Sequence, residues 1–164
     1  MASLDHIYEK ATTFIGIEEI KGPEHNPTIL GWLKQFGKNL GRWATGRDET
    51  AWCAVFVSMV LNACGYEGTN HALASSYTTW GVPSRPIRGA VIVIKRKKSG
   101  ADTRTGSRAG FHVGILKLIT KHYIVILGGN QSNKVCVSWF PRGKYDIVAI
   151  RRPADLETGT TQAA

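Results

Sequence analysis

The order of apolar and polar residues predicts two short helices near the start of the chain. Over residues 3–17 the apolar positions recur at helical spacing, which indicates an amphipathic helix that begins near Ser3 or Asp5. Residues 21–27 (KGPEHNP) have the composition of a turn, and a second helix follows and ends near Gly37.

A longer apolar run, from about Asp48 to Cys64, predicts a third helix. The run is too long for a strand, and it lies between a polar loop and a glycine, which indicates a buried helix capped by Asp48 or Thr50. Cys53 then falls in the first or second turn. Unpaired backbone N–H groups and the positive end of the helix dipole favour a thiolate there.

The second half of the chain changes to runs rich in β-branched residues. Residues 68–86 indicate a short helix and a loop, and five predicted strands follow at residues 89–95, 111–119, 123–129, 134–140 and 147–152. The short connections imply an antiparallel meander. Helices followed by strands predict an α+β fold with a helical layer on a curled sheet. We assign residues 1–153 to one domain and residues 154–164 to a polar, disordered tail.

Composition supports a single globular domain. The chain has 164 residues, of which 43% are hydrophobic and 20% charged. No apolar run reaches the roughly 20 residues that span a bilayer, and the N-terminus lacks the pattern of a signal peptide. We therefore expect no membrane insertion and a cytosolic site of synthesis. Three cysteines cannot all pair, so at least one thiol is free.

The net charge points to an anionic partner. Lys and Arg total 21 against 12 Asp and Glu, which gives a formal charge of +9. Nucleic acid and the bacterial envelope are both polyanions. The densest basic run, residues 95–108 (KRKKSGADTRTGSR), contains no aromatic residue and therefore indicates a flexible, solvated loop rather than a base-contacting surface.

The positions of the three cysteines favour Cys53 as the reactive one. Cys64 lies at the C-terminal end of the same predicted helix, where the dipole disfavours a thiolate. Cys136 lies in the centre of a predicted strand, where burial raises the pKa of a thiol. Both are typical of packed apolar residues.

A cysteine hydrolase needs a thiolate, an imidazole and a polar side chain that orients the imidazole. Cys53, His112 and Asn130 occur in this order on separate predicted elements. His112 lies within an apolar strand, where a core histidine bonded to backbone is the alternative interpretation. The other four histidines are typical of surface positions.

Several segments together resemble a known family. They are GPEHNPTILGWLKQFG, DETAWCAVFVSMVLNACGYEGT, ALASSYTTWG, GFHVGIL and ILGGNQSNKVCVSWFP. In this order, AWCA, HVG and GGNQ are similar to phage and bacterial cell-wall hydrolases of the papain-like superfamily, close to the CHAP and NlpC-type enzymes. The resemblance covers residues 22–153.

This resemblance implies a papain-like fold and a role for each motif. Cys53 would be the nucleophile, His112 the general base and acid, and Asn130 the residue that orients the imidazole. The backbone N–H of Cys53 would supply one oxyanion donor. The second donor is not identifiable from the sequence, and Gln131 and Trp52 are only near candidates.

The chain also departs from the family pattern. Relatives often have Gly-Asp where this chain has Gly89-Ala90, and the segment before the cysteine offers only Asp48 and Glu49 in place of a calcium loop. We therefore predict no metal and no cofactor. Glu24 either lines the cleft or caps a turn.

The resulting prediction is a monomeric peptidoglycan hydrolase, either an amidase or an endopeptidase. The resemblance implies a phage endolysin that stays in the host cytoplasm until lysis, although a virion-associated lysin or a secreted toxin would have the same sequence features. One alternative is a basic nucleic-acid-binding module without catalysis. A transferase or deamidase with the same three residues is another, because a nucleophile does not determine the acceptor.

Overall fold

The computed structural model describes residues 3–40 and 51–156. In this part of the chain three α-helices precede the sheet: α1 (Leu4–Thr12), α2 (Pro27–Phe36) and α3 (Cys53–Ala63). A 3-10 helix over Ala74–Thr78 follows them. The predicted α+β class is confirmed.

Helix α1 begins as predicted and ends early. The Ser3 side chain accepts a hydrogen bond from the His6 amide at 3.2 Å, which caps the helix. The helix ends at Thr12, before the predicted end at Ile17. Gly16 has a φ of 99°, a left-handed conformation that cannot continue a right-handed helix.

Helices α2 and α3 have different N-terminal ends. Asn26 caps α2 by accepting from the Thr28 amide at 2.9 Å. Helix α3 begins at Cys53, and its N-cap residue Trp52 makes no side-chain capping hydrogen bond. The predicted caps of α3, Asp48 and Thr50, lie outside the described residues.

Six strands form one antiparallel sheet. They are β1 (Val82–Pro83), β2 (Val91–Arg96), β3 (Phe111–Ile119), β4 (Tyr123–Gln131), β5 (Lys134–Pro141) and β6 (Tyr145–Arg152). Their order in the sheet is β1-β6-β2-β3-β4-β5. The five predicted strands are all present, and β1 is an additional two-residue strand paired with the end of β6.

The predicted meander holds only for β2 to β5. Strand β6 returns to pair with β2, on the far side of the sheet from β5. Residues 142–144 alone connect β5 to β6, so the sheet must curl to bring these two strands close. Phe140 of β5 and Tyr145 of β6 are in ring contact, with centroids 5.1 Å apart. Because β5 and β6 do not pair within the described chain, the sheet is not closed.

The curl gives the sheet two hydrophobic cores. Alternate residues of each strand face opposite sides, so Val91 and Val93 pack with the helices whereas Ile92 and Ile94 face the inside of the curl. Helix α3 is buried over nine consecutive residues because it lies between the other helices and the sheet.

The basic segment between β2 and β3 differs from its prediction. We call residues 97–110 the strap. Residues 97–101 are exposed, as expected of a solvated loop, but Asp102 is 4% exposed and Thr105 is fully buried. Tyr145 donates a hydrogen bond to the Asp102 carboxylate at 2.7 Å, which explains why this part of the strap lies against the sheet.

The described chain remains packed beyond the predicted domain end. Leu156 is 5% exposed and belongs to the core beneath the helices. Arg152 donates to the Leu156 carbonyl at 2.9 Å. Residues 157–164 of the predicted tail lie outside the described residues.

Candidate active site

The site lies where β3 and β4 separate. The ladder between these strands ends at the pair Ile115 and Leu127, although β3 extends back to Phe111 and β4 extends on to Gln131. The start of α3 occupies this opening. A Cβ on Gly129 would lie 2.6 Å from the Trp52 ring, so only glycine permits this approach.

Cys53 lies at the end of the interrupted ladder. The backbone groups of Val113, Ala54 and Cys53 itself lie close enough to its sulfur to affect the pKa of the thiol. Burial raises the pKa of the Cys53 thiol, and these three backbone groups lower it by less. The thiol is therefore protonated near pH 7 in this structure, whereas its position at a helix start led us to expect a thiolate.

His112 is fully buried on the face of the sheet turned towards the inside of the curl, whereas Cys53 belongs to the core beneath the helices. His112 pairs across the sheet with Ile94, and its ring contacts Phe140 with centroids 5.5 Å apart. Burial lowers the pKa of His112 from 6.5 to about 4, although Gln131 and Asp102 act in the opposite direction. The imidazole is therefore neutral near pH 7.

Gln131 determines which nitrogen of His112 carries the proton. The Gln131 Nε2 group donates to the carbonyls of Ile126 at 3.1 Å and Cys136 at 2.7 Å, which fixes the direction of the amide. Its Oε1 lies 2.9 Å from His112 Nε2 and must accept. His112 Nε2 therefore bears the hydrogen, and Nδ1 is left as a proton acceptor without a hydrogen-bond partner among the described residues.

Asn130, predicted to orient the imidazole, does not make this contact. A β-bulge between Gly128 and Gln131 shifts the register, with Asn130 at a φ of 55°. The bulge brings the Gln131 side chain beside Gly128, where strict alternation would place Asn130. The Asn130 side chain is 98% buried, and its Oδ1 has no hydrogen-bond partner among the described residues.

The two side-chain candidates for an oxyanion donor are both engaged. Trp52 Nε1 donates to Glu19 Oε1 at 2.9 Å, and Gln131 Nε2 donates to its two carbonyls. Glu24 is exposed in the turn before α2. An oxyanion donor role for the backbone N–H of Cys53 stays a prediction.

The surroundings of the other two cysteines indicate structural roles. Cys64 follows the end of α3, and burial raises the pKa of its thiol. Cys136 Sγ donates to the Gln131 carbonyl at 3.4 Å, so it supports the residue that holds the imidazole. All three cysteines are free thiols.

A cleft of about 650 Å³ borders the start of α3. It is lined by residues 16–21 together with Asn26. Glu19 links this cleft to Trp52, the residue before Cys53. Within the described ranges no three His, Cys, Asp or Glu side chains are grouped so that they could hold a metal ion.

No family model, curated protein or solved structure matches this chain. None of the helices among the described residues has the length and apolar character needed to cross a membrane.

Proposed function

We propose that this protein is a cysteine hydrolase that cleaves an amide bond of bacterial peptidoglycan. The observation that carries the proposal is the hydrogen bond of 2.9 Å between Gln131 and the buried imidazole of His112. This contact leaves Nδ1 of a neutral imidazole as an unpaired proton acceptor, on the residue that precedes Val113, whose backbone approaches the sulfur of Cys53. The papain-like arrangement implied by the resemblance is part of the proposal.

The proposed reaction has two steps. Cys53 attacks the amide carbonyl as its proton passes to His112 Nδ1, and the imidazolium then protonates the departing amine. Water, deprotonated by the same imidazole, hydrolyses the thioester. The backbone N–H of Cys53 donates to the oxyanion of each tetrahedral intermediate.

The described structure is a resting state in this mechanism. Cys53 Sγ contacts the backbone of Val113, and no hydrogen bond joins it to His112. The reactive pair must therefore form as the substrate enters, as in many apo structures where catalytic hydrogen bonds are incomplete. Gln131, rather than Asn130, takes the orienting role in this proposal.

The choice of peptidoglycan depends on the resemblance and on charge. A net charge of +9 raises the rate of encounter with an anionic wall. The scissile bond is either the amide between muramic acid and L-alanine or a peptide bond in the stem or cross-bridge. Mass spectrometry of the muropeptides released from purified sacculi distinguishes these bonds.

The test is a comparison of two cysteine variants. We expect Cys53→Ala to abolish turbidity loss of outer-membrane-permeabilised cells and release of muropeptides, because no nucleophile remains. Cys64→Ala is the matched control and should retain activity. Hydrolysis by folded Cys53→Ala, checked by circular dichroism, would contradict the proposed mechanism.

One observation favours the nucleic-acid-binding alternative. Tyr123 and Trp139 are 39% and 52% exposed on neighbouring strands, with ring centroids 5.5 Å apart, and exposed aromatic rings can stack on bases. This alternative predicts salt-dependent oligonucleotide binding that Trp139→Ala weakens, with no release of muropeptides.

A further inference from the structure

The strap contacts the end of β4 through three neighbouring residues. The Ser132 amide donates to the Arg104 carbonyl at 2.9 Å, and the Arg104 guanidinium donates to the Trp139 carbonyl at 2.6 Å. A Cβ on Gly106 would lie 2.7 Å from Asn130 Nδ2. Thr105 lies between these two strap residues and is therefore held next to the bulge of β4.

Three buried polar atoms in this region have no hydrogen-bond partner among the described residues. They are Thr105 Oγ1, His112 Nδ1 and Asn130 Oδ1. Buried polar groups are paired in the great majority of cases, and an unpaired one costs about 1–3 kcal/mol. Unpaired buried groups that converge in one region are typical of a site whose ligand completes the hydrogen bonds.

We propose that Thr105 and Asn130 form a subsite that binds a peptide amide of the substrate beside His112. The Thr105 hydroxyl can donate to a peptide carbonyl, and Asn130 Oδ1 can accept from a peptide N–H. Together they match the two polar groups of one amide unit. This inference rests on the proposed function and identifies an amide of the peptide stem as the group bound beside His112.

Binding at this subsite requires the strap to move. Thr105 and His112 are fully buried, and Cys53 is 3% exposed. The strap is attached to the sheet by polar contacts, and two of them involve Arg104 and one joins Asp102 to Tyr145. Opening therefore exchanges these hydrogen bonds for contacts with the substrate and water.

The test uses one substitution at two positions of the strap. Thr105→Val replaces the unpaired hydroxyl by a methyl group of similar size, and Thr103→Val is the matched control because Thr103 is exposed. In the absence of substrate, we expect Thr105→Val to raise Tm by about 2–4 °C, since it removes an unsatisfied group. With soluble muropeptides, we expect it to raise KM about five- to tenfold with little change in kcat.

Asn130→Gly provides a second variant that keeps the backbone. Glycine tolerates the φ of 55° at this position, and it removes only the side chain. A rise in KM supports the subsite, whereas a fall in kcat at unchanged KM would assign Asn130 to the imidazole and contradict it. A lower Tm for Thr105→Val would also contradict it, because the hydroxyl would then be satisfied in the free protein.

Binding measurements separate failure of the subsite from failure of the proposed function. Muropeptides are titrated into Cys53→Ala and into Cys53→Ala/Thr105→Val by calorimetry. We expect the second substitution to weaken binding about five- to tenfold. Equal binding by both proteins, alongside hydrolysis by the wild type, would overturn the subsite alone. Hydrolysis by Cys53→Ala would overturn the proposed function, and the two affinities would still test the subsite.

Discussion

The chemistry of His112 depends on one glutamine. Gln131 makes two hydrogen bonds to backbone carbonyls with its amide nitrogen and therefore presents only its oxygen to the imidazole. A rotated amide would direct N–H groups at the ring and reverse the tautomer. The position of the proton on His112 thus follows from the backbone of β4 and β5, which carries those carbonyls.

Replacing Gln131 tests this positioning role. Gln131→Met keeps the approximate length of the side chain but leaves two carbonyls and His112 Nε2 without partners, so we expect a loss of about 2–4 kcal/mol in unfolding free energy. We also expect kcat to fall at least about tenfold. Urea unfolding and muropeptide release are the measurements. Gln35→Met, at an exposed position of α2, is the control and should change neither quantity.

A carboxylate at the same position gives a signature that a purely structural role would not. Gln131→Glu retains an acceptor for His112 Nε2 and adds a negative charge, which favours the imidazolium and raises the pKa of His112. The acidic limb of the pH–rate profile should therefore move to higher pH. An unshifted limb in a folded Gln131→Glu protein would argue against control of His112 by Gln131.

The buried imidazole also predicts how stability depends on pH. Because the pKa of His112 falls from 6.5 to about 4 on folding, the unfolded chain binds more protons between these values. Stability is therefore complete above about pH 6.5 and decreases as the pH falls towards 4. Between pH 7.5 and pH 5 we expect His112 to account for a loss of about 2 kcal/mol in unfolding free energy.

Urea unfolding of two histidine variants checks this contribution. His122 is exposed, so His122→Gln should keep the wild-type pH dependence. His112→Gln should reduce the loss by about 2 kcal/mol, because glutamine does not titrate. The same slope in both variants would show that other groups cause the pH dependence.

The sequence singled out the residues of the proposed site but not their contacts. Cys53 and His112 are identifiable because a helix start and an apolar strand give each residue unusual surroundings. The contact between His112 and Gln131 was not predictable, because a β-bulge exchanges the faces of the sheet to which Asn130 and Gln131 point. The asparagine at position 130 is a weak sequence signal for the bulge, since asparagine tolerates the positive φ observed there better than most residues.

Among the secondary-structure elements, α3 and β4 determine where the sulfur lies. Gly129 lets the β4 backbone approach Trp52 and Phe56 at the start of the helix. The β3–β4 ladder has already ended at this point, so the Val113 amide is available to Cys53. The end of the β3–β4 ladder and the close contact between α3 and β4 therefore determine the position of Cys53 together.

Adding a methyl group at Gly129 tests this arrangement. A Cβ there would lie 2.6 Å from the Trp52 ring and 2.7 Å from Phe56 Cβ, so Gly129→Ala must displace the start of α3. We expect a loss of about 1–3 kcal/mol in unfolding free energy and a marked loss of activity. Gly143→Ala is the control, since nothing lies within 4 Å of its Cβ position. Equal stability of the two variants would show that α3 is not tightly docked on β4.

Most helices and strands were predictable, but the place of β6 in the sheet and the existence of β1 were not. Alternation and β-branched content identify β6 as a strand, yet neither indicates that it pairs with β2 instead of its sequence neighbour β5. That choice depends on the curl of the sheet, which is a property of all strands together. Strand β1 has two residues, too few to produce a detectable pattern.

For the complete chain, the charge of +9 predicts how activity depends on salt. Exposed charges attract an anionic wall over distances of about one Debye length, which is about 10 Å at 0.1 M salt and shorter at higher concentrations. If attraction to the wall limits the encounter, the lysis rate should fall several-fold between about 50 and 300 mM NaCl. Cleavage of small soluble muropeptides should change much less over this range, because they carry few charges. Equal salt dependence for both substrates would mean that salt acts on the protein itself. Lysis that does not change with salt would exclude charge as the means of reaching the wall.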